Sequence, residues 1–429
     1  MKQLTPPRPA LREAFRKARE KGLRESLELT GEIARARVAR FSHHRRRVFV
    51  FISPPLTDSG APLVLTNVVR EFVSRYGPAS VRLLASPVAG APPERFRVCG
   101  VKVERAADVL VPSLVRLQLA LRKDDFVLMN TVAVSRNYLE VVLDLVQRGR
   151  LAHAYWYIHE DVDHLPVQAP FLLQPDARST VGRLMSQGRL TILVPSEHVK
   201  AKYDALFGNA ETRILPFKID AGTQRMAPLS AEHYSSVRFL MSGKPTDGNK
   251  GHIVALAAFH EFMKGHYEPD PDTFRPFTLT LVGMTDDYIS EQIRLIGSTV
   301  LGERFKAVSS VSHDEALEIT RDCNAVICSS FRETGPLYVI EGMCCGHIVL
   351  RSDAGGMTEQ LDDGVNGFRI DRTDLRQFAG VLAQVLNKKT MPDSRLQRMG
   401  RASQELVPRL LIPSYVDALE QVHDAPTTT

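Results

Sequence analysis

Short apolar runs alternate with helix-like segments along most of this chain. The first run, "VFVFIS" at 48–53, is almost continuously apolar, as in strands that are buried on both faces. It is followed by the turn-forming "PPLTDSGAP" and by a helix-like segment at 63–77, and similar units continue to about residue 208. Because strands that alternate with helices pack as a parallel sheet covered by helices, the pattern predicts an α/β fold.

A second alternating series begins after the periodicity lapses between about 211 and 236. It predicts strands at "VRFLMSG", "FTLTLVGM", "RFKAVSS", "NAVICSS" and "HIVLRSD", with helices at 252–264, 286–296 and 314–320 and another from Pro336. We therefore predict domains at 48–220 and 235–400, joined by one linker and separated by a cleft. Helices at 401–425, broken by Pro408 or Pro413, are predicted to cross back to the first domain.

The composition is that of an ordinary globular protein. The chain has 429 residues, of which 44% are hydrophobic and 24% charged, enough for two domains with full cores. No apolar run approaches the roughly 18 residues of a membrane span, and no export signal is visible, so we expect a cytoplasmic protein. The five cysteines form no metal-binding pattern and are predicted to be small buried hydrophobes in a reducing compartment.

The net charge of +6 is concentrated near the N-terminus, where residues 1–47 hold 14 Lys or Arg and five Glu. Apolar residues recur between these charges from 9 to 41, which predicts a basic amphipathic helical extension. Such an extension can lie on an anionic membrane surface, pack on its own domain or associate with a partner chain. Nucleic acid is disfavoured as a partner because aromatic interleaving and reading motifs are absent.

Candidate chemistry is concentrated in "NAVICSSFRETGPLYVIEGMCCGH". If the strand ends near residue 330 and Pro336 is the first helical residue, Glu333 lies in a loop at the carboxyl end of a parallel strand, where open α/β sheets bind ligands. Glu341 then leans back toward that loop, since helical side chains tilt toward the N-terminus. The amides around Leu337 and Tyr338 suit a phosphate. The two glutamates and the amides between them fit a diphosphate flanked by two groups that carry hydroxyls.

Each glutamate also has a plainer explanation. The alternative for Glu341 is a surface position on an amphipathic helix. Its neighbours leave almost no polar face, so we predict a buried carboxylate that needs a partner. Glu333 follows Arg332, and a surface ion pair between these two remains an equal alternative on spacing alone.

The same passage resembles the E-x7-E signature of retaining glycosyltransferases of the GT-B fold, family 4 group, with Glu333 and Glu341 at its acidic positions. The similarity continues through "SDAGGMTEQLDDGVNGFRID", "VRFLMSGKPTDGNKG", "ISPPLTDSGAPLVL" and "YIHE", and covers about residues 48–420. The chain departs from the common pattern in two places: Thr334, Gly335 and Pro336 stand where many members have Gly-Phe-Gly, and Lys244 stands where many have Arg.

The resemblance implies two Rossmann-like domains that face each other across a cleft, with the nucleotide-sugar donor on the second and the acceptor on the first. It implies that Lys244 and Lys250 neutralise the diphosphate, that Gly60 lets backbone approach the phosphates, and that His159 and Glu333 contact the donor sugar. Glu341 would bind the ribose. Gly335, Pro336, Leu337 and Tyr338 would form the phosphate-facing turn and helix start, and no cofactor or metal would be needed.

A metal-dependent alternative rests on Asp161 and Asp163, which form an Asp-x-Asp triplet in "YIHEDVDH". Such a triplet can hold a divalent ion against a diphosphate. It is also a common accident, and the two-domain pattern is wrong for the glycosyltransferase fold that uses it. The metal reading is therefore disfavoured.

The function predicted from the resemblance is transfer of a hexose, with retention, to a hydroxyl acceptor such as a cell-surface polysaccharide or a lipid-linked glycan. Two alternatives remain: a sugar-nucleotide epimerase or hydrolase of the same fold, and a non-catalytic sugar-nucleotide-binding scaffold. A donor-hydrolysis assay separates the three. The enzyme would be cytoplasmic, with peripheral membrane contact or self-association through residues 9–41.

Overall fold

The computed structural model describes most of the chain from residue 47 onward. The described residues are 47–56, 60–86, 100–101, 103–105, 117–118, 121–208, 210–219, 227–245, 248–265 and 272–424. The predicted basic helices at 9–41 lie outside them. Contacts divide the chain into two units, one formed by residues up to Leu215 together with those from Pro413, the other by Pro216–Ile412. The predicted divisions lay at 220–235 and at 401.

The first unit contains a seven-stranded parallel sheet in the order β3-β2-β1-β4-β5-β6-β7. Its strands are β1 Phe49–Ser53, β2 Val81–Ala85, β3 Val103–Arg105, β4 Phe126–Asn130, β5 Ala154–Tyr157, β6 Leu190–Val194 and β7 Arg213–Ile214. Its helices before the second unit are α1 Gly60–Tyr76, α2 Arg136–Gln147, α3 Leu165–Gln168, α4 Pro175–Ser186 and α5 Glu197–Leu206. β1 and β4 are wholly buried, as their continuous apolar runs predict.

The second unit contains a six-stranded parallel sheet in the order β10-β9-β8-β11-β12-β13. Its strands are β8 Val237–Ser242, β9 Phe277–Met284, β10 Phe305–Ser309, β11 Ala325–Cys328, β12 Ile348–Arg351 and β13 Gly367–Arg369. Its helices are α6 His252–Gly265, α7 Tyr288–Leu301, α8 His313–Asp322, α9 Leu337–Cys344, α10 Leu375–Leu386 and α11 Asp393–Leu410. Both sheets are thus Rossmann-like.

Each sheet reverses its strand order at one point. In the first unit the reversal falls between β1 and β4, and in the second between β8 and β11. The loops at the carboxyl ends of the strands on either side diverge at such a point, and the crevice between them is where open α/β sheets bind ligands. In the second unit the described residues at this point are 243–245 and 248–251 after β8 and 329–336 after β11, so a ligand is expected to bind there.

The final helix, α12 Tyr415–Asp424, belongs to the first unit. Its start is held by Glu71, whose Oε2 accepts hydrogen bonds from the Tyr415 amide at 2.8 Å and the Ser414 hydroxyl at 3.0 Å. Tyr415 is fully buried. Pro413 separates α12 from α11, whereas Pro408 lies inside α11 without ending it.

Within the described residues, none of the helices combines the length and apolarity required to cross a membrane. The four described cysteines, Cys323, Cys328, Cys344 and Cys345, are buried and form no disulfide.

Candidate functional site

The loops after β8 and β11 are joined by hydrogen bonds. The Ser329 hydroxyl donates to the Gly251 carbonyl at 2.9 Å, and the Phe331 amide donates to the Asn249 carbonyl at 2.8 Å. The Asn249 side chain also bonds to both backbone groups of Arg332, at 2.9 and 3.0 Å. These contacts fix the two loops against each other at the point where the strand order reverses.

Glu333 and Lys250 form an ion pair across these loops. Lys250 Nζ lies 2.5 Å from Glu333 Oε1, and the two side chains are only 26% and 10% exposed. The Lys250 side chain crosses Gly243, where an added Cβ would lie 2.8 Å from Lys250 Cε. The alternative of a surface ion pair between Glu333 and its neighbour is therefore wrong, because the carboxylate turns inward to Lys250 while Arg332 is exposed.

Lys244 lies on the same loop as Lys250 but differs from it in burial. It is exposed directly after Gly243, and among the described residues it makes no ion pair. Thr246 and Asp247, between the two lysines, lie outside the described residues. The structure thus gives one lysine held inside the site and one at its surface.

Two glycines allow close contacts of the loop backbones, Gly251 with the other loop and Gly335 with the Phe217 ring. Gly251 has φ +69°, and a Cβ there would lie 2.3 Å from the Ser329 carbonyl oxygen. Gly335 has φ +142°, with the Phe217 ring 3.3 Å from the position of its missing Cβ. Both backbone conformations are ones that a residue with a side chain rarely adopts.

The helix after Glu333 begins one residue later than predicted. Pro336 is its N-cap, with an extended ψ of 121°, and the first helical residue is Leu337. Proline fixes φ but leaves ψ open, so it can stand on either side of the boundary. The predicted role of the first-turn amides is unaffected, since Leu337 and Tyr338 still occupy that turn. The Tyr338 hydroxyl donates to the Ile327 carbonyl at 3.1 Å, which ties the helix start to β11.

Glu341 is buried, as predicted, with 7% of the residue exposed. Burial raises the pKa of its carboxyl to about 7. The imidazole of His313 is the nearby titratable group, with Nε2 3.6 Å from Glu341 Oε1. His313 is the first residue of α8, after a capping box formed by Ser312 and Glu315. The cap thus positions an imidazole beside the carboxylate.

The remaining candidates, Gly60 and His159, belong to the first unit. Gly60 begins α1 and is exposed, and no described atom lies within 4 Å of the position of its missing Cβ. His159 follows β5 and is 9% exposed, with Nε2 2.8 Å from Oδ1 of Asn130 at the end of β4. Burial lowers the pKa of His159 to about 3, so the ring is neutral at pH 7. If Oδ1 accepts from Nε2–H, the lone pair of the ring is on Nδ1.

The Asp-x-Asp triplet is held by a lysine. Lys202 Nζ lies 2.7 Å from Asp161 Oδ1 and 2.9 Å from Asp163 Oδ2. Asp161 also accepts from the Asp163 amide at 3.0 Å and caps a short 3-10 helix, Val162–His164. These contacts give the triplet a structural role.

Several site residues were missed from the sequence. Asn249 clamps the two loops, Asn130 orients His159, and His313 lies beside Glu341. Asn130 had a visible signal, as a polar residue at the end of an apolar strand, and "SHDE" before α8 matches a capping box. The Asn249 clamp had none, because it depends on loops that are 83 residues apart in the chain.

Parts of this chain match known proteins in sequence. Residues 236–406 match the model of the family described as glycosyl transferases group 1. A D-inositol 3-phosphate glycosyltransferase of Acidothermus cellulolyticus is 26% identical over 142 residues, which are 32% of this chain and 31% of that protein. The one from Mycolicibacterium smegmatis is 25% identical over 127 residues, which are 30% of this chain and 28% of that protein. The chain thus spans about a third of the length of these relatives.

Solved structures match over more of the chain. Anabaena HepE in complex with UDP and glucose superposes with a TM-score of 0.65 at 14% identity, covering 88% of this chain and 99% of that one. A glycosyltransferase from Rickettsia africae gives a TM-score of 0.68 at 12% identity, covering 89% and 100%. The fold of the chain is therefore GT-B, and residues 236–406 match the model of the glycosyl transferases group 1 family.

Proposed function

We propose that this chain is a retaining glycosyltransferase that moves a hexose from a nucleotide-sugar donor to a hydroxyl acceptor. The observation that carries the proposal is the constellation on the second unit, where the Lys250–Glu333 pair and the start of α9 lie at the reversal of strand order and Glu341 follows in the same helix. The family match over residues 236–406 supports the same activity.

The donor's nucleotide part is assigned to three groups. Glu341, buried on α9, accepts hydrogen bonds from the ribose hydroxyls. Lys244, Lys250 and the amides of the first turn of α9 neutralise the diphosphate. Because HepE is bound to UDP and UDP-glucose in its solved structures, uridine nucleotides are the first donors to test.

The donor's sugar is assigned to Glu333 and His159. The contact with Lys250 uses Oε1 of Glu333, and Oε2 is the oxygen that we assign to a sugar hydroxyl. His159, neutral and oriented by Asn130, presents Nδ1 as an acceptor for another hydroxyl. The acceptor would bind to the first unit.

Retention is proposed to follow from front-side displacement. The acceptor oxygen bonds to the anomeric carbon while the bond from that carbon to the diphosphate oxygen breaks, and the acceptor's proton passes to the departing oxygen. Negative charge grows on the diphosphate, where the two lysines and the helix start stabilise it. With those cations in place, the proposal requires no metal.

The acceptor is proposed to be a glycan, either a cell-surface polysaccharide or a lipid-linked glycan. Residues 9–41, basic and amphipathic in sequence, would allow contact with the inner face of the membrane or self-association.

The test begins with ligand binding. Thermal unfolding of the purified chain is measured with UDP, GDP and ADP and with their glucose derivatives, and one nucleoside diphosphate is expected to raise Tm by mass action. Hydrolysis of the matching sugar nucleotide is then followed, with Glu341→Ala as the variant that should bind it more weakly. If no nucleotide binds, the proposal fails. Release of an isomerised sugar would show that the protein is an epimerase instead. Binding of a donor without turnover would show that it is a non-catalytic scaffold.

A further inference from the structure

Phe331 is an exposed aromatic residue at the ligand-binding edge of the second sheet. Its neighbours Ser329 and Ser330 are fully buried and Glu333 is 9% exposed, yet 42% of Phe331 is exposed. The residue follows β11 in the loop that carries Glu333. The chain therefore turns a large apolar ring outward two residues before a candidate catalytic carboxylate.

The ring is held in place from both sides of the loop. Its backbone amide is bonded to Asn249, on the β8 side. On the other side the guanidinium of Arg372 lies 5.1 Å from the ring centroid. Arg372 is itself held by Asp353, with Nη1 3.0 Å from Oδ1. An exposed ring fixed by a cation–π contact and a clamped backbone loses little conformational freedom when a ligand binds.

An exposed, fixed phenyl ring suits one face of a pyranose. A sugar ring presents hydroxyls at its rim and a patch of C–H groups on its face, and those C–H groups are attracted to the negative face of an aromatic ring. Phenylalanine has no hydroxyl, so its contribution is stacking and apolar burial rather than hydrogen bonding. The nearby Glu333 and Lys250 supply polar partners for the rim.

We propose that Phe331 is a carbohydrate-stacking residue that selects which sugar ring the site accepts. The inference rests on the proposed function and extends it to a specificity-determining residue. Two rings have the required chemistry: the hexose of the donor and the terminal hexose of the acceptor. Arg372 acts as a positioning residue, since its guanidinium backs the ring.

The test compares Phe331→Ala and Phe331→Trp with the control Leu295→Ala. Leu295 is 61% exposed in the middle of α7, so Leu295→Ala also shortens an exposed apolar side chain but does so away from the two loops. Calorimetric affinities for UDP and UDP-glucose are measured for each variant. If the donor's hexose stacks on the ring, Phe331→Ala lowers the affinity for UDP-glucose about 5- to 20-fold and the affinity for UDP less than about 2-fold. Phe331→Trp retains both affinities.

If the acceptor's hexose stacks, both affinities stay unchanged in Phe331→Ala. Saturation-transfer NMR signals from methyl α-glucoside, methyl α-galactoside or methyl α-mannoside, added with UDP, are then lost in Phe331→Ala and kept in Phe331→Trp. Tryptophan emission gives an independent readout, because Trp156, the chain's single tryptophan, is buried. The indole of Phe331→Trp should shift to shorter wavelength with the stacking sugar and not with UDP alone.

The inference is overturned if wild type binds UDP-glucose and Phe331→Ala changes neither the nucleotide affinities nor the glycoside signals. It is also overturned if Leu295→Ala has the same effect. Failure of wild type to bind any nucleotide or sugar nucleotide is a different result, which overturns the proposed function together with this inference.

Discussion

Lys250 Nζ lies 2.5 Å from Glu333 Oε1, and this ion pair adds to the hydrogen bonds between the two loops on either side of the point where the second sheet reverses its strand order. The pair is therefore both a structural link between the loops and part of the proposed donor site. Its two roles can be separated by substitution.

Lys250→Met should leave the Glu333 carboxylate buried without its cation. We expect the free energy of unfolding to fall by roughly 1–3 kcal/mol, and turnover of the donor to fall by about 10²- to 10³-fold. Urea unfolding and donor hydrolysis measure the two effects. Adding Glu333→Gln to Lys250→Met should restore part of the stability but none of the turnover.

Lys244→Met is the matched control, since Lys244 is exposed on the same loop. Its stability should stay within about 0.5 kcal/mol of wild type, while its affinity for the nucleoside diphosphate falls and becomes less sensitive to salt. Equal stability losses in both lysine variants would contradict the distinction between them.

Glu341 should make the ligand-free protein less stable as the pH rises. Its carboxyl has a pKa of about 7 in the fold against a reference value of 4.5, so between these values the folded chain holds a proton that the unfolded chain has released. Stability contributed by this group is present below pH 4.5 and is lost, by about 3 kcal/mol in total, as the pH rises to 7. Glu341→Gln should abolish this component, as measured by urea unfolding at several pH values.

The same group should make nucleotide affinity increase with pH, because the ionised carboxylate accepts hydrogen bonds from both ribose hydroxyls. His313, 3.6 Å away, favours ionisation when it is protonated, so the midpoint should rise in His313→Gln. A Glu341→Gln variant that is as pH-dependent as wild type would show that another group is responsible.

His159 should contribute stability of the opposite pH dependence. Its pKa of about 3 lies below the reference value of 6.5, so the unfolded chain takes up a proton first as the pH falls. Stability from this residue is present above pH 6.5 and declines by up to about 1.4 kcal/mol per pH unit below it. His347, with a pKa of about 4, adds a slope of the same sign, so His159→Gln must be compared with wild type by acid unfolding. An unchanged slope would show that the imidazole is accessible to water.

Gly251→Ala should separate the two loops, whereas Gly248→Ala should not. Both glycines have left-handed backbones, with φ +69° and +68°, but only a Cβ at Gly251 would meet the Ser329 carbonyl oxygen. We expect a loss of about 2–5 kcal/mol for Gly251→Ala and about 1–2 kcal/mol for Gly248→Ala. Thermal and urea unfolding measure both; a Gly251→Ala variant as stable as Gly248→Ala would mean that the loops can move apart freely.

A chelator should leave donor turnover unchanged, as should Asp163→Asn. Asp161 and Asp163 are both bonded to Lys202, and Asp163 is the more exposed of the two carboxylates, so its replacement should cost less than about 1 kcal/mol. Turnover is measured with EDTA and with added Mg²⁺. If EDTA abolishes activity and added Mg²⁺ restores it, the metal-dependent alternative would be supported.

Much of the fold was predictable because its signals are local. The apolar runs of β1, β8 and β11 are buried strands, and the Gly-Pro pair did mark the start of α9 to within one residue. The burial of Glu341 followed from a helix without a polar face. These features depend on residues that are close together in the sequence.

The partners of the site residues were not predictable in the same way. Glu333 pairs with Lys250 rather than with adjacent Arg332 because β8 and β11 are neighbours in the sheet although 83 residues separate the two side chains. Asn249 and Phe331 meet for the same reason. Strand order brings such residues together, and neither periodicity nor composition records it.

The bonds between Glu71 and the start of α12 also set an order of events during synthesis. About 343 residues separate Glu71 from Ser414, which is roughly 20–70 s of translation at about 5–20 residues per second. The second unit is continuous from Pro216 to Ile412, so all its strands have been made while the first still lacks its last helix. The half of the protein that is synthesised first is therefore the half that is finished last, and the apolar surface under Tyr415 and Leu419 stays uncovered until then.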